Sequence, residues 1–160
     1  MKLEYLYLQE NSLLTIDLSK NTLLKSLSIN DNKLESLDLK NNGKLETCYA
    51  YNNLLTSINL NKNVALTFLN IDDNRLETLD LTNNINLKTV YCENNNLTKI
   101  STPHSSFAIE KLDCSDNNLT ELNLSLSGTS KFEYLNAPEP IISHLLKLNF
   151  VMLLYANALL

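Results

Sequence analysis

Glycine and proline are scarce in this sequence, which has two glycines and three prolines among its 160 residues. Linkers between domains are usually rich in glycine, proline and small polar residues, and no internal segment here has that composition. The sequence therefore predicts one continuous array rather than several domains joined by flexible segments.

Positive charge is also scarce, because 13 lysines and arginines accompany 18 aspartates and glutamates and leave a formal net charge of -5. The charges are spread along the chain, and no basic stripe that could bind phosphates is present in the pattern. Nucleic acid is therefore not predicted as a partner. The same lack of basic residues argues against a role at an anionic membrane surface.

Histidine is limited to His104 and His144. Neither has a serine or cysteine nucleophile and a carboxylate in a suitable arrangement beside it, and His104 is close to serines only in sequence. We therefore predict no catalytic residues, no cofactor and no enzymatic activity.

Leucine and asparagine, in contrast, recur at fixed positions. The pattern Leu-x-x-Leu-x-Leu-x-x-Asn-x-Leu repeats every 21 to 23 residues. This period predicts a leucine-rich-repeat solenoid, in which coils stack because a single coil cannot bury its own leucines. The coils begin at Leu3, Leu24, Leu45, Leu66, Leu87 and Ile109, and a broken seventh begins at Phe132.

The first half of each coil alternates inward apolar and outward polar residues, as a short strand requires. Stacked coils then form a parallel sheet on the concave face, with strands about 4.8 Å apart. The second half repeats the pattern, with apolar pairs such as Leu37 and Leu39. It is too short for a free-standing helix, so the return arm is predicted to be a second short extended segment.

An asparagine ends each half of the coil, where the backbone turns and leaves the sheet. An inward asparagine side chain has two donors and one acceptor, which can satisfy the turn and link it to a neighbouring coil. The series after the strands comprises Asn11, Asn32, Asn53, Asn74, Asn95 and Asn117, and the series after the return arms comprises Asn21, Asn42, Asn63 and Asn84.

The three cysteines, Cys48, Cys92 and Cys114, occupy inward strand positions. Side chains stacked on neighbouring parallel strands point the same way, which favours buried, reduced thiols over a disulfide. No histidine falls near them in register to complete four zinc ligands, so no metal site is predicted.

The pattern divides the chain into residues 1–137, an array of about six and a half coils, and residues 138–160, an apolar tail that follows Pro138 and Pro140. We interpret the tail as a helical cap on the last coil, with a membrane anchor or a truncated or displaced reading frame as alternatives. Its apolar residues at helical spacing are Ile141, Leu145, Leu148, Met152, Tyr155 and Leu159.

At the other end, Met1 and Lys2 lead directly into Leu3, without a signal peptide or a polar cap. An uncapped first coil exposes leucines and a sheet edge. We therefore expect this chain to be a fragment whose partners include further repeats or a cap of a longer chain.

Two adjacent coils carry a cysteine at the second inward position of the strand, in place of leucine: residues 90–97, VYCENNNL, and residues 112–119, LDCSDNNL. This 21-residue unit resembles the short bacterial leucine-rich repeats of internalin-J-like surface proteins over residues 3 to about 137. The resemblance implies adhesion at the cell surface, with the chain secreted or surface-bound as part of a longer precursor, or cytoplasmic if it is complete. The bacterial effector ubiquitin ligases differ, because their repeats carry paired prolines.

The outward positions of the strands should form the concave surface, and aromatic residues concentrate in its centre. Aromatic side chains with a polar tip supply contact area at little entropic cost, so we predict a surface that binds a protein or a glycan. The alternative is a spacer or scaffold whose aromatics only cover neighbouring strands. The predicted binding residues are the cluster Tyr49, Tyr51, Phe68 and Tyr91 with the acidic neighbours Asp72 and Glu93, and Asp73 flanks them.

Acidic and amide residues alternate along most of the column that follows the strands. A calcium site would need oxygens converging on one ion, which diverging turns do not provide. We therefore interpret the column as solvated turn residues: Glu10, Asp31, Asn52, Asp73, Asn94, Asp116 and Glu139.

Overall fold

A computed structural model describes residues 2–103, 109–124 and 133–147 and shows a leucine-rich-repeat solenoid. The elements are β1 Tyr5–Tyr7, β2 Ser26–Ser28, β3 Thr47–Tyr49, β4 Phe68–Asn70, β5 Thr78–Asp80, β6 Thr89–Tyr91, β7 Lys99–Ser101, β8 Lys111–Asp113, β9 Tyr134–Asn136 and α1 Glu139–Lys147. Seven of these three-residue strands form one parallel sheet in the order β1-β2-β3-β4-β6-β8-β9, and two pair separately as β5-β7.

The strand register follows the repeat. Leu27 of β2 lies beside Leu6 of β1 and Cys48 of β3, so the central residue of each strand stacks on the equivalent residue of the next coil. Leu27, Cys48 and Leu69 are fully buried. The predicted alternation is confirmed, because the central side chain points inward while its two neighbours lie on the outer face of the sheet.

The return arms match their prediction in part. Thr78–Asp80 and Lys99–Ser101 form a parallel pair, and the Leu81 amide donates to the Ser101 carbonyl at 2.8 Å. No other return arm in the described ranges contains a strand. Burial positions those arms, since Leu39 and Leu60 are both within the core.

The asparagines that end the strands have the predicted inward role. The Asn74 amide nitrogen donates to the carbonyls of Ala50, Ile71 and Asp72 at 3.0 to 3.1 Å. Its Oδ1 accepts the backbone N–H of Leu55, in the preceding coil, at 3.0 Å. The series therefore closes each turn and joins it to the previous coil, with equivalent contacts at Asn32, Asn53 and Asn95.

A second buried asparagine series runs along the return side. The Asn63 amide donates to the carbonyls of Leu39 and Asn42 in the preceding coil, at 3.0 and 2.9 Å. Asn42 and Asn84 make the same two contacts, and all three side chains are fully buried. Coils one to four are therefore tied to their neighbours on both sides of the core.

The turn after each strand uses a left-handed backbone conformation. Left-handed residues are usually glycine, and asparagine or aspartate tolerates this region better than other side chains. The series explains how a chain with two glycines makes a tight turn in every coil. The residues, with φ between 48° and 56°, are Glu10, Asp31, Asn52, Asp73, Asn94 and Asp116.

The array is followed by α1, which begins at Glu139 between the two prolines of the sequence PEP. Proline suits the first helical turn, where its missing N–H would have no partner. Ile141 is 3% exposed and packs against the core. No helix among the described residues is long and apolar enough to span a membrane. The described residues do not include His104, Phe132, Leu148, Met152, Tyr155 and Leu159.

All three cysteines are buried free thiols, as predicted. Cys92 Sγ lies 3.3 Å from the Asp113 carbonyl oxygen, and Cys114 Sγ lies 3.4 Å from the carbonyl oxygen of Asn136. Burial raises the pKa of Cys48 to about 12, and burial with the nearby Asp113 raises the pKa of Cys114 to about 12. The pKa of Cys92 is raised mainly by burial. These groups are neutral thiols at physiological pH.

The inward series predicts a position-specific stability effect. Asn74→Ala removes four hydrogen bonds at a side chain that is 8% exposed, and should lower the free energy of unfolding by about 1 to 3 kcal/mol. The matched control is Asn86→Ala, whose exposed amide donates, among the described residues, to the Val64 carbonyl alone, and which should change stability by less than about 0.5 kcal/mol. Urea denaturation measures both, and equal effects would contradict the assigned register.

Burial of the thiols predicts slow chemical labelling. In folded protein at pH 8, Cys48, Cys92 and Cys114 should react with an aromatic disulfide reagent far more slowly than the same cysteines in urea-unfolded protein, because they are buried and not ionised. Absorbance of the released thiolate measures the reaction. Prompt labelling of Cys92 or Cys114 in folded protein would show that they lie outside the core.

Candidate functional site

Three of the predicted aromatic residues lie together on the concave face. The ring centroids of Tyr49 and Phe68 are 4.7 Å apart in a tilted arrangement, and those of Phe68 and Tyr91 are 5.9 Å apart, edge to face. The three come from β3, β4 and β6, which are adjacent in the sheet. The backbone partners of Phe68 are Thr47 and Thr89, so the rings meet diagonally across the strands.

These rings are half-buried, whereas the central residues of the same strands are fully buried. Their contacts are favourable, since offset and edge-to-face aromatic pairs contribute about 0.5 to 1.5 kcal/mol beyond area burial. The stack therefore covers the middle of the sheet and still presents part of each ring to solvent. We call Tyr49, Phe68 and Tyr91 the aromatic stack.

Tyr51 lies outside the aromatic stack. It is half-buried, and no ring contact of Tyr51 is found in the described part of the chain. It follows β3 by two residues and shares its repeat position with Asp72 and Glu93. Tyr51 therefore belongs to the column at the carboxyl end of the strands, beside the aromatic stack.

Asp72 and Glu93 are neighbours in that column. Asp72 Oδ1 accepts the backbone N–H of Glu93 at 2.7 Å, and Asn70 Oδ1 accepts the N–H of Asp72 at 3.0 Å. Partial burial raises the pKa of Asp72 to about 6, and the Glu93, Asp113 and Asp73 carboxylates act in the same direction. The pKa of Glu93 is raised by desolvation and by surrounding carboxylates. Negative charge is therefore crowded at this edge.

Asp113 is a further acidic residue at this edge. It is buried, although the repeat pattern places it at an outward position. It is 8% exposed, and its carboxylate accepts from Ser115 Oγ, the Tyr134 hydroxyl and the Asn136 amide at 2.6, 2.9 and 3.2 Å. Burial and the hydrogen bond to Asp113 raise the pKa of Tyr134 to about 12. The sequence signal for this network is that the following coil also carries polar residues, Tyr134 and Asn136, at the positions that pair with Lys111 and Asp113.

The turn column is more ordered than the solvated series that its composition predicts. The Asn52 side chain donates to Asp31 Oδ1 at 2.5 Å, and the Asn94 side chain donates to Asp73 Oδ1 at 2.6 Å. Alternation of acid and amide therefore creates hydrogen-bonded pairs between coils instead of stacked like charges.

Charges at the other end of the strands are arranged differently. Lys25 pairs with Glu4 at 2.9 Å, Lys88 with Glu110 at 3.8 Å, and Lys111 with Glu133 at 3.6 Å. In the described ranges, no lysine or arginine forms an ion pair with the acids at the carboxyl end of the strands on coils four to six: Asp72, Asp73, Glu93, Asp113 and Asp116.

The described residues contain no group of three or more histidine, cysteine, aspartate or glutamate side chains that could hold a metal ion. The side chains of both histidines fall outside the description, although the backbone of His144 lies in α1. The chemistry that the concave face offers is therefore contact with aromatic rings, hydrogen bonding and negative charge.

No protein-family model and no curated protein sequence matches this chain. Solved structures do match it. The functional domain of InlJ from Listeria monocytogenes, which includes a cysteine ladder, is 22% identical with a TM-score of 0.52, covering 84% of this chain and 39% of that one.

YopM, a leucine-rich effector from Yersinia pestis, is 28% identical with a TM-score of 0.69, covering 82% of this chain and 36% of that one. A chain of the LRIM1/APL1C complex is 23% identical with a TM-score of 0.62, covering 74% and 23%. This chain therefore spans less than two fifths of the length of each of these proteins. It is a leucine-rich-repeat solenoid with short coils of roughly 21 residues, similar to those of the bacterial proteins InlJ and YopM.

Proposed function

We propose that the chain is a non-enzymatic recognition module that binds a protein or glycan partner on its concave face. The contact surface would consist of the aromatic stack, Tyr51, and the carboxylates of Asp72 and Glu93. The observation that carries this proposal is the stack itself, in which rings from three adjacent strands adjoin on one face.

The core supports this assignment because it is complete without these rings. Leucine, isoleucine, valine, cysteine and alanine fill the inward strand positions, and the residues at the centre of the sheet are fully buried. The outward aromatics are thus not required to exclude water from the core, and clustered aromatics are the residues that most often anchor binding partners.

The similar proteins bear on the cellular location of this chain. One is part of a protein complex, and InlJ and YopM come from bacteria. We propose that this chain acts as part of a secreted or surface-exposed bacterial protein, in adhesion. The competing function is a spacer that only separates other parts of a longer protein, in which case the concave face has no ligand.

The decisive variant is the triple substitution Tyr49→Ala, Tyr51→Ala, Tyr91→Ala. The wild type and this variant are screened on arrays of glycans and bacterial or host surface proteins, with the melting temperature measured alongside. Removal of a central anchor typically costs about 2 kcal/mol or more of binding energy, which is roughly a thirtyfold loss of affinity. We expect at least that loss while the variant stays folded.

The matched control is Tyr5→Ala, Tyr7→Ala, which removes tyrosines that are 55% and 61% exposed on the same face of the first coil. It should leave binding unchanged, because those tyrosines lie outside the aromatic stack. If the folded triple variant keeps every ligand of the wild type, the concave face is not the binding site and the spacer function is favoured.

A further inference from the structure

Charge is segregated between the two ends of the strands. At the amino end, Glu4, Glu110 and Glu133 form ion pairs with lysines on neighbouring coils, whereas Glu46 forms none in the described ranges. At the carboxyl end on coils four to six, the carboxylates of Asp72, Asp73 and Asp113 accept hydrogen bonds, but no acid there has a cationic partner in the described ranges. The repeat thus offers positions for ion pairs, and they are used at one end only.

This arrangement is unfavourable for the isolated chain. Partial burial raises the pKa of Asp72, and the carboxylates of Glu93 on the next coil, Asp113 on the one beyond and Asp73 on its own turn raise it further. Like charges that lie close together in a partly desolvated surface repel more strongly than exposed charges in water. A ligand that brings positive charge would relieve this repulsion.

The aromatic side chains lie beside the same edge. Tyr51 shares a column with Asp72 and Glu93, and Tyr91 ends β6 two residues before Glu93. Lysine and arginine are attracted to the faces of aromatic rings, and the attraction is larger where water is excluded. Carboxylates and half-buried rings in adjoining columns therefore offer two complementary interactions to one cationic side chain.

We propose that the partner of the concave face is a protein segment that carries lysine or arginine, with its cations against the aromatic stack and the carboxylates of Asp72 and Glu93. This inference rests on the proposed function and specifies the chemistry of its ligand. A neutral glycan would leave the carboxylate charges uncompensated. A bound metal ion would require a ligand cluster that the described residues lack.

Acidification should weaken this interaction without destabilising the site. Asp72 has a folded pKa of about 6, above its ordinary value of 3.8. The folded state therefore takes up this proton more readily than the unfolded chain, and the contribution of Asp72 to stability increases as the pH falls from 7 towards 4. Protonation over the same range removes the negative charge that attracts a cation.

The test uses a decapeptide of alternating lysine and serine and the same peptide with every lysine acetylated. Binding is measured by calorimetry at pH 7.5 and low ionic strength, then at pH 5 and at higher salt. The wild type should bind the basic peptide, lose affinity with salt, and lose it several-fold at pH 5. The acetylated peptide should not bind.

The charge variant carries both Asp72→Asn and Glu93→Gln. It should bind the basic peptide about tenfold more weakly at pH 7.5, which is the scale of two partly exposed ion pairs, and it should lose most of the pH dependence. The matched control is Glu77→Gln, an exposed acid on the return side that forms no ion pair in the described structure. It should bind like the wild type at both pH values.

The two levels of the proposal fail differently. If the triple tyrosine variant loses a glycan or neutral ligand while the charge variant and salt have no effect, the face is a binding site and the cationic partner is wrong. If Glu77→Gln weakens the basic peptide as much as the charge variant does, attraction is only to net charge and the inference is overturned. If no arrayed ligand depends on the tyrosines, the proposed function itself fails.

Discussion

The inward asparagine after each strand is the interaction on which the solenoid depends. Its side chain donates to carbonyls of its own turn and also forms hydrogen bonds with the preceding coil. Asn74, for example, accepts the backbone N–H of Leu55 and donates to the carbonyl of Ala50. Leucine burial alone would favour stacking without selecting a register, because apolar contact has no direction. Hydrogen bonds at a repeat spacing of 21 residues do select one, since a slipped coil would leave buried amides and carbonyls unpaired.

Once the core is filled and the turns that follow the strands are hydrogen-bonded inside, the outward strand positions are free to vary. Those positions carry two serines in β2 and a stack of aromatic rings across β3, β4 and β6. Within one short strand, the uniform inward residues therefore serve folding, and the varied outward residues are available for recognition. The same separation explains why the unneutralised acids at the carboxyl end can persist, because cohesion between coils comes from the core and the two asparagine series.

The sequence predicts the inward residues well because two periods apply to them. Alternation along a strand fixes the direction of side chains such as Leu27 and Cys48, and the coil length fixes which residues stack on one another. It also predicts that Tyr49, Phe68 and Tyr91 meet, since they lie on adjacent coils. It does not place Tyr51, because alternation ends with the strand and the direction of the side chain then depends on the turn. Burial of Asp113 is missed for a related reason: it depends on Tyr134 and Asn136 of the next coil, which lie outside its own strand pattern.

Native-state hydrogen exchange tests the central role of the asparagine series most directly. The backbone amides of Leu34, Leu55 and Leu76 donate to asparagine side chains of the following coil. They should exchange as slowly as the Ile29 and Ile71 amides, which are bonded between coils, because all would open only when the array unfolds cooperatively. Exchange of the three leucine amides at the rate of the exposed turn amide of Lys40 would contradict the account and leave leucine burial as the main cohesive force.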